Sequence, residues 1–382
     1  MKLGSLFSGS GGFELAGLFC GIKPAWNAEV CKFAVAVTDK RLPGTKQLGD
    51  VTKINGAEIE PVDIITFGSP CQDLSRAGKQ AGIHNGTRSS LFFEAIRIIK
   101  EMRNATANQF PRFAVWENVS HALGSNNGAD FQAVLQALVE AAGSDANVPM
   151  PKGKWASAGA IVGDGFSLSW KILDAQYAGV AQRRKRVYLV ADFRGECADE
   201  ILGDVPCGHG DHETRIKAWQ AFAGYTPAGA GRGDSVVFDA RGNGDGIICP
   251  TITGDHENRI TDYTAVLVEK NESRHYFIQQ RFDEYKEGDV ASTLKQRDYK
   301  DNTDLIVEPQ SEQDRKWIVR RLTETECLSL QGLPKWWCDG VDGRSATAVY
   351  QLAGNGIAVP CAIDVLGRIV DFVEHESRSE MR

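Results

Sequence analysis

No C-x-x-C pair occurs among the nine cysteines, and nine is an odd number. Scattered thiols of this kind exclude a disulfide framework and point to reduced cysteines in a cytosolic compartment. Nor is there an uninterrupted apolar run near the ~18 residues a membrane helix needs, so no membrane span is expected. The stretch Met1-Lys2-Leu3-Gly4-Ser5-Leu6-Phe7 resembles no secretory leader and runs straight into a strand and a glycine turn. A basic excess is also missing: the formal net charge of -7 argues against a polyanion-coating protein, while leaving room for a local basic cleft. Cys197, Cys207, His209 and His212 lie close in sequence, but their spacing matches no standard zinc finger, and no metal is expected.

What is present is the composition of an ordinary globular protein, 42% hydrophobic and 24% charged, on 382 residues, enough for two domains. Residues 1–193 alternate short apolar runs with helical periodicity. Strands are expected at Lys2 to Phe7, Trp26 to Val30, Val62 to Phe67 and Phe113 to Val119, and a hairpin from Trp170–Leu173 with Arg186–Val190. Helices are expected from Gly12, over Leu91–Ile99 and over Phe131–Val139. This βαβ alternation implies a parallel or mixed sheet covered on both faces. Residues 194 to about 318 are richer in glycine, charge and short β-like runs. Within them Pro250–Asp255 leading to Thr261–Glu269 is echoed by Ser292–Asp298 leading to Thr303–Glu308, either two related strand–loop–strand units or two chance hairpins. Helical pattern returns with a capping box, Thr323 with Glu326, and with Ala358–Phe372, which should pack back on the first domain.

Three groups of residues carry chemistry. Ser69-Pro70-Cys71-Gln72 follows a strand ending in glycine, where α/β proteins present reactive groups; proline stiffens the turn and directs the thiol. The bland alternative is a buried structural cysteine. Phe7-Ser8-Gly9-Ser10-Gly11-Gly12-Phe13 is a strand, a glycine turn and a helix start, where a ligand can approach the backbone closely. Glu29 ends the second strand, placed to accept hydrogen bonds from ribose hydroxyls. Asp50, before Val51, is placed to accept from an adenine amino group or simply to cap a turn. The turn lacks the lysine of G-x-x-x-x-G-K-[ST], which disfavours phosphoryl transfer and suits an adenosyl ligand without phosphates. Glu117, in Trp116-Glu117-Asn118-Val119, should emerge on the same sheet edge as Cys71, partly desolvated. In Gln182-Arg183-Arg184-Lys185-Arg186, strand alternation would put Arg184 and Arg186 on one face; the alternative is a solvated strand end. Positive charge beside Cys71 would raise its thiolate fraction.

Six blocks, in order, resemble the motifs of the DNA cytosine-5 methyltransferase family: Phe7–Gly12, Gly68–Gln72, Glu117–Val119, Gln182–Arg186, Arg321–Gly332 and Gly354-Asn355-Gly356. The resemblance implies a Rossmann-like S-adenosylmethionine-dependent methyltransferase with a mixed sheet, and a smaller β-rich target-recognition domain. Residues 1–193 with 341–382 would be the catalytic and cofactor-binding domain, and 194–340 the target-recognition domain and return segment. It further implies a covalent bond from Cys71 to C6 of a flipped-out cytosine. Glu117 would act at N3 and Arg184 at O2, with Arg186 also in the catalytic group. The pocket for S-adenosylmethionine, and for its product S-adenosylhomocysteine, would comprise Phe7, Ser8, Gly9, Ser10, Gly11, Gly12, Glu29, Val30, Asp50, Val51, Pro70, Leu91 and Asn355, with no metal.

Duplex DNA is the implied substrate. Gln72, Ser75, Arg88 and Gln182 are expected to contact it near the reacting base, and Arg241, Lys295, Gln296 and Arg297 in a groove or at phosphates. A cytoplasmic monomer in a bacterial or phage-infected cell is expected, at the nucleoid when on DNA, with a cognate restriction endonuclease as a further partner. Three departures from the usual pattern are Val30 after Glu29, Leu74 in the loop, and Gly354 before Asn355. The rival readings are an RNA cytosine-5 methyltransferase, an inactive cofactor-dependent DNA-binding protein, and a nicotinamide oxidoreductase, which would share the glycine turn and Glu29 but leave the other five blocks unexplained.

Overall fold

The computed structural model describes residues 1–69, 91–180, 182–203, 212–224 and 323–380, together with the backbone of strands at 235–239, 264–268, 276–281, 284–288 and 318–321. Pro70, Cys71, Gln72, Leu74, Ser75, Arg88, Cys207, His209, Arg241, Lys295, Gln296 and Arg297 lie outside the described residues. The chain divides into two compact units. The first comprises Met1–Asp174, Lys185–Ala221 and Gly356–Arg382, and the second comprises Ala175–Arg184 and Phe222–Asn355.

The first unit is built on one eight-stranded sheet. Its strands are β1 (Lys2–Leu6), β2 (Lys23–Ala28), β3 (Lys46–Gln47), β4 (Ile64–Phe67), β5 (Phe113–Val119), β6 (Ala158–Gly163), β7 (Phe166–Asp174) and β8 (Lys185–Asp192), in the order β3-β2-β1-β4-β5-β8-β7-β6. The five strands from β3 to β5 run parallel, and β8, β7 and β6 continue the sheet antiparallel. The expected β7–β8 hairpin is therefore present. The second strand is shifted from the expected span, running Lys23–Ala28, so that Glu29 and Val30 fall just beyond it. The first strand stops at Leu6 because Phe7 turns away in the left-handed region, at φ 58°.

Every residue of β4 is buried, as is every residue of β5 up to Asn118, which is what a parallel strand covered on both faces requires. The covering helices are α1 (Gly12–Phe19), α2 (Lys32–Arg41), α3 (Leu91–Ala105), α4 (Ala129–Ala141), α5 (Ala198–Leu202) and α6 (His212–Ala223). Helix α3 buries Phe92, Ala95, Ile96, Ile98, Ile99 and Met102, the face its apolar spacing predicts. Phe92, Trp116, Phe131, Trp155 and Trp170 form a chain of ring contacts from α3 through the sheet to α4.

In the second unit the described strands are β9 (Ser235–Asp239), β10 (Thr264–Val268), β11 (Tyr276–Arg281), β12 (Glu284–Gly288) and β13 (Ile318–Arg321), pairing antiparallel as β13-β10-β9 and β11-β12. Strand β10 is the second strand of the first repeat copy; the second copy lies outside the described residues. Helices α7 (Glu324–Leu330) and α8 (Ala346–Asn355) follow. The capping box of α7 is formed in full, with Glu326 N–H donating to Thr323 Oγ1 at 3.3 Å and Thr323 N–H to Glu326 Oε2 at 2.7 Å.

The last helix, α9 (Val359–Glu380), returns to the first unit and packs along α1, as its apolar spacing implies. One guanidinium fastens it. Arg112, at the foot of β5, donates to the fully buried Asp192 of β8 at 3.3 Å and to Glu376 Oε1 at 2.9 Å. Removing it would strand a buried carboxylate. Arg112→Ala is expected to lower unfolding free energy by about 3 kcal/mol or more. The double variant Arg112→Ala/Asp192→Asn should recover much of that loss in urea melts; no recovery would mean that Arg112 acts by packing alone.

Candidate active site at the carboxyl edge of the sheet

The site grows from a reversal in strand order. Strand β1 has β2 on one side and β4 on the other, so the connections from β1 and β4 leave in opposite directions. That opens a crevice at their carboxyl ends, where open α/β sheets bind ligands.

The glycine turn lies at the end of β1. Phe7, Gly9 and Gly11 all have positive φ (58°, 54° and 78°), so three left-handed residues fold the turn back on itself before α1 begins. Among the described residues, a Cβ at Gly9 would meet no atom nearer than the Phe7 carbonyl oxygen at 3.9 Å, so it would stand in open space above the turn rather than in a packed core. The turn is held from below. Ser8 N–H donates to the Ala28 carbonyl at 3.1 Å, and Gly9 N–H donates to Glu29 Oε2 at 2.8 Å. Glu29 Oε1 accepts from the amides of Val30 and Cys31, both at 2.8 Å. Three of about four acceptor positions on this carboxylate are thus used by backbone, which fixes its orientation and leaves capacity for a ligand hydroxyl. Val30 is 69% exposed, an apolar surface next to the acid.

Asp50 does the turn-capping work that was the simpler alternative. Its Oδ1 accepts from the amide and hydroxyl of Thr52 at 3.0 and 2.9 Å, opening the short helix Val51–Lys53. Those bonds, the backbone one first, hold its carboxyl below the usual aspartate range. Arg97 of α3 braces this turn by donating to the carbonyls of Val51 and Ile54 at 3.0 and 2.8 Å. Val51 is buried, and Leu91, the first residue of α3, packs partly buried against the core.

The second cluster is at the ends of β4 and β5. Their parallel register pairs Phe67 with Trp116, so Gly68 and Glu117 come next, side by side. A Cβ at Gly68 would stand 3.4 Å from Glu117 Oε2, so glycine keeps the carboxylate clear of the chain. Trp116 Nε1–H donates to Ser69 Oγ at 3.2 Å, and Asn118 Nδ2–H to the Ser69 carbonyl at 3.0 Å. Ser69, two residues before Cys71, is therefore pinned by the neighbours on either side of Glu117. Glu117 itself is buried, and Arg186 Nε lies 3.3 Å from its Oε1. Arg186 faces Val119 across the β5–β8 ladder and reaches Glu117 diagonally.

Along the basic run Gln182, Arg184 and Arg186 are turned inward while Arg183 and Lys185 are exposed. This is the expected alternation, and it sets aside a wholly solvated strand end. Within the second unit the buried Arg184 donates to the Gly354 carbonyl at 3.2 Å, in the last turn of α8, where helix carbonyls favour a cation. Gln182, an expected DNA contact, is fully buried and donates to the Leu330 carbonyl at 3.2 Å, bracing the end of α7. Asn355, which closes α8, is exposed. Cys197 and His212, the described half of the loose Cys/His group, serve other ends. The Cys197 thiol bonds to Asp192 at 2.9 Å and is pushed up by burial, and His212 lies 3.6 Å from Asp364.

Two residues of the site give no clear signal in the sequence. Asn118 reads only as part of a motif, although its amide donates to the Ser69 carbonyl just past β4. Glu14 was read only as the opening of a helix. It is fully buried under the glycine turn and accepts a short hydrogen bond from Ser8 Oγ. Burial pushes its carboxyl up to about 7, against smaller lowering effects from Ser8, its own backbone and Asn27, and the nearby charge of Glu29 adds to the rise.

The model of C-5 cytosine-specific DNA methylases matches residues 1–142 and 160–371. The chain belongs to this family. Its chemistry is methyl transfer to DNA, and the family implies S-adenosylmethionine as donor. The chain is 31% identical to the "DNA N-6-adenine-methyltransferase" of Escherichia phage P1 over 335 residues, 80% of this chain, and spans 41% of that relative's length. It is 26% identical to the type II methyltransferase M1.ScrFI of Lactococcus lactis subsp. cremoris over 378 residues, 99% of this chain and 80% of that one. In fold it is similar to the Schizosaccharomyces pombe Dnmt2 methyltransferase, with a TM-score of 0.55 at 15% identity over 98% of this chain and 99% of that one.

Because Glu14 is raised in the folded protein, folding favours its protonated form. That stability is full below the ordinary carboxyl value of 4.5 and is lost as pH rises through about 7. Glu14→Gln, neutral at every pH, should melt close to the wild type near pH 5 and roughly 5 °C above it at pH 8. A difference that does not change with pH would rule out a buried ionising carboxyl.

Proposed function

We propose that the protein transfers a methyl group from S-adenosylmethionine to C5 of a cytosine flipped out of duplex DNA, through a covalent bond between Cys71 and C6. The observation that carries this reading is the clamp of Trp116 and Asn118 on Ser69, two residues before Cys71 in sequence and beside the buried Glu117.

The cofactor fits the residues that are present. Open space over Gly9, remaining acceptor capacity on Glu29, the exposed Val30 surface and a second Asp50 oxygen with no hydrogen-bond partner among the described residues suit ribose and adenine. Phe7, Ser8, Ser10, Gly11, Gly12, Val51, Pro70, Leu91 and Asn355 complete the assigned pocket. When bound, S-adenosylmethionine supplies an electrophilic methyl group.

The chain's own residues then make C5 a nucleophile. C5 of cytosine is too weak to attack unaided. The Cys71 thiolate adds to C6, forming an S–C6 bond, and the ring π electrons shift toward N3 and O2. Glu117 meets the charge at N3 by hydrogen bonding or proton donation, with Arg186 holding its carboxylate in place. Arg184 serves O2 of the base. C5 would take the methyl as its bond to the donor sulfur breaks, leaving S-adenosylhomocysteine; a base then removes the C5 proton, and those electrons expel the Cys71 thiolate, regenerating the aromatic ring. Stacked bases shield both faces of the ring, so the cytosine must leave the duplex.

The recognition segment 194–340, with Arg241, Lys295, Gln296 and Arg297 as candidate readers, would choose the cytosine, while Gln72, Ser75 and Arg88 would support the flipped state. We infer a monomer in the cytoplasm of a bacterial or phage-infected cell. The type II names of relatives favour a cognate restriction endonuclease as partner.

With tritiated methyl donor, label should pass to duplex DNA, appear as 5-methylcytosine, and fall to background in Cys71→Ser. Glu117→Gln should reduce kcat by about 10²–10³ while S-adenosylhomocysteine binding is kept. Bisulfite sequencing of DNA from expressing cells would map the target. Label recovered as N6-methyladenine, or on tRNA alone, would overturn the proposal.

A further inference from the structure

Glu14 occupies the third position of α1, where a glutamate ordinarily reaches back to a Ser or Thr at the helix cap. The cap here is Gly11, in the left-handed region and without a side chain, so no capping box can form. The carboxyl instead goes under the turn. Its Oε1 accepts from Ser8 Oγ–H, and Ser8 Oγ accepts in turn from Asn27 Nδ2–H at 3.4 Å. Glu14 Oε2 and Asn27 Oδ1 are buried with no hydrogen-bond partner among the described residues. Two bare acceptors in a dry site are costly unless one of them gains a proton. A proton on Glu14 relieves that cost in the free protein, in keeping with the upward push of burial on its carboxyl.

Ser8 sits between Phe7 and Gly9, two residues with positive φ, and Phe7 carries a side chain that makes that conformation unfavourable. A turn of this kind keeps its shape only if something holds it. The Glu14–Ser8 bond is that hold. It is stronger when the acceptor is charged, because hydrogen bonds to an ionised group are shorter and tighter than neutral ones.

We propose that Glu14 is a positioning residue for the cofactor turn, holding it through Ser8 as a carboxylate, so that cofactor binding is coupled to loss of one proton from Glu14. This rests on the reading of Phe7–Phe13 as the S-adenosylmethionine turn. The charged and titratable groups around Glu14 are few. Among the described residues Glu29, just beyond β2, is the charge that acts on it, while Ser8 and Asn27 are its polar neighbours. Helix α9, packed on α1, brings Asp364 and Asp371, and Arg215 of α6 pairs with Asp371, but these act on Cys20 at the other end of α1. With Glu14 titrating at about 7 in the free protein, the pH window is physiological.

The test is isothermal titration of the full chain with S-adenosylhomocysteine at pH 6, 7 and 8, in buffers of different ionisation enthalpy. The wild type should bind about tenfold more weakly at pH 6 than at pH 8 and release close to one proton at pH 6. Glu14→Gln should bind with nearly the same Kd at all three values, near the weak acid-side limit, and release none. Ser8→Ala should likewise lose the pH dependence, and it keeps the test alive should Glu14→Gln not fold. Any titration of the ligand itself is common to all three proteins. A pH dependence that survives in both variants, or a wild type with flat affinity, would overturn the role of Glu14. Failure of the wild type to bind at any pH would instead overturn the cofactor reading beneath it.

Discussion

The geometry of the candidate site depends first on the parallel register of β4 and β5. Pairing Phe67 with Trp116 decides that Gly68 and Glu117 leave the sheet together. Everything that follows uses that adjacency. Trp116 and Asn118 can hold Ser69 only because alternation along β5 turns both away from the face of Glu117. Gly68 can pass the carboxylate only because it has no Cβ. A one-residue slip would reverse every side chain of the strand and bury Glu117 where Trp116 now packs. The apolar rings around Trp116 oppose that slip strongly, so the core sets the register and the register sets the chemistry.

Three carboxylates near this edge are handled in three different ways. Glu117 is buried but has a guanidinium 3.3 Å away. Glu29 is held by three backbone amides, which fix its orientation without a counter-ion. Glu14 has neither, only a serine hydroxyl and an amide, and burial pushes its carboxyl up to about 7. The sheet edge thereby offers distinct electrostatic settings within one crevice, each set by what the backbone brings near rather than by residue type. Such separation is how a single site can orient a ligand with one acid and stabilise developing charge with another.

Much of this was legible in the sequence. Phe113–Val119 was read as a strand to the residue, because seven residues with an apolar run leave no helical alternative of that length. The Thr323 capping box was equally plain, since it is local and needs no tertiary context. The alternation of Arg184 and Arg186 against Arg183 and Lys185 followed from strand geometry. The start of β2 was missed because Lys23 and Pro24 look unlike strand residues, and only pairing with β1 makes them so. Glu14 was missed for the opposite reason. Its position looked like ordinary helix-start chemistry, and only the missing side chain at Gly11 and the fold of the turn send it underneath. The bracing of α7 by Gln182 and of the Asp50 turn by Arg97 joins residues 148 and 43–46 apart in sequence, distances that no local pattern encodes.

The phage P1 relative carries a name that specifies adenine N6, whereas the family model specifies cytosine C5. Chemistry separates the two acceptors. An exocyclic amine has a nitrogen that can approach an electrophilic methyl group directly, and a thiol has no bond to make in that reaction. A ring carbon becomes nucleophilic only after something adds next to it. Under the proposed reading, the clamp on Ser69, the glycine that clears Glu117 and the guanidinium behind it all serve an addition step. None would have that use with an amine acceptor. On that reading the strand ends of the sheet carry the carbon chemistry, and 41% of the P1 protein's length is what this chain matches, so the printed name is that of a longer protein. The more economical assignment for these residues is therefore the carbon acceptor, with the choice of cytosine left to the loops of the second unit.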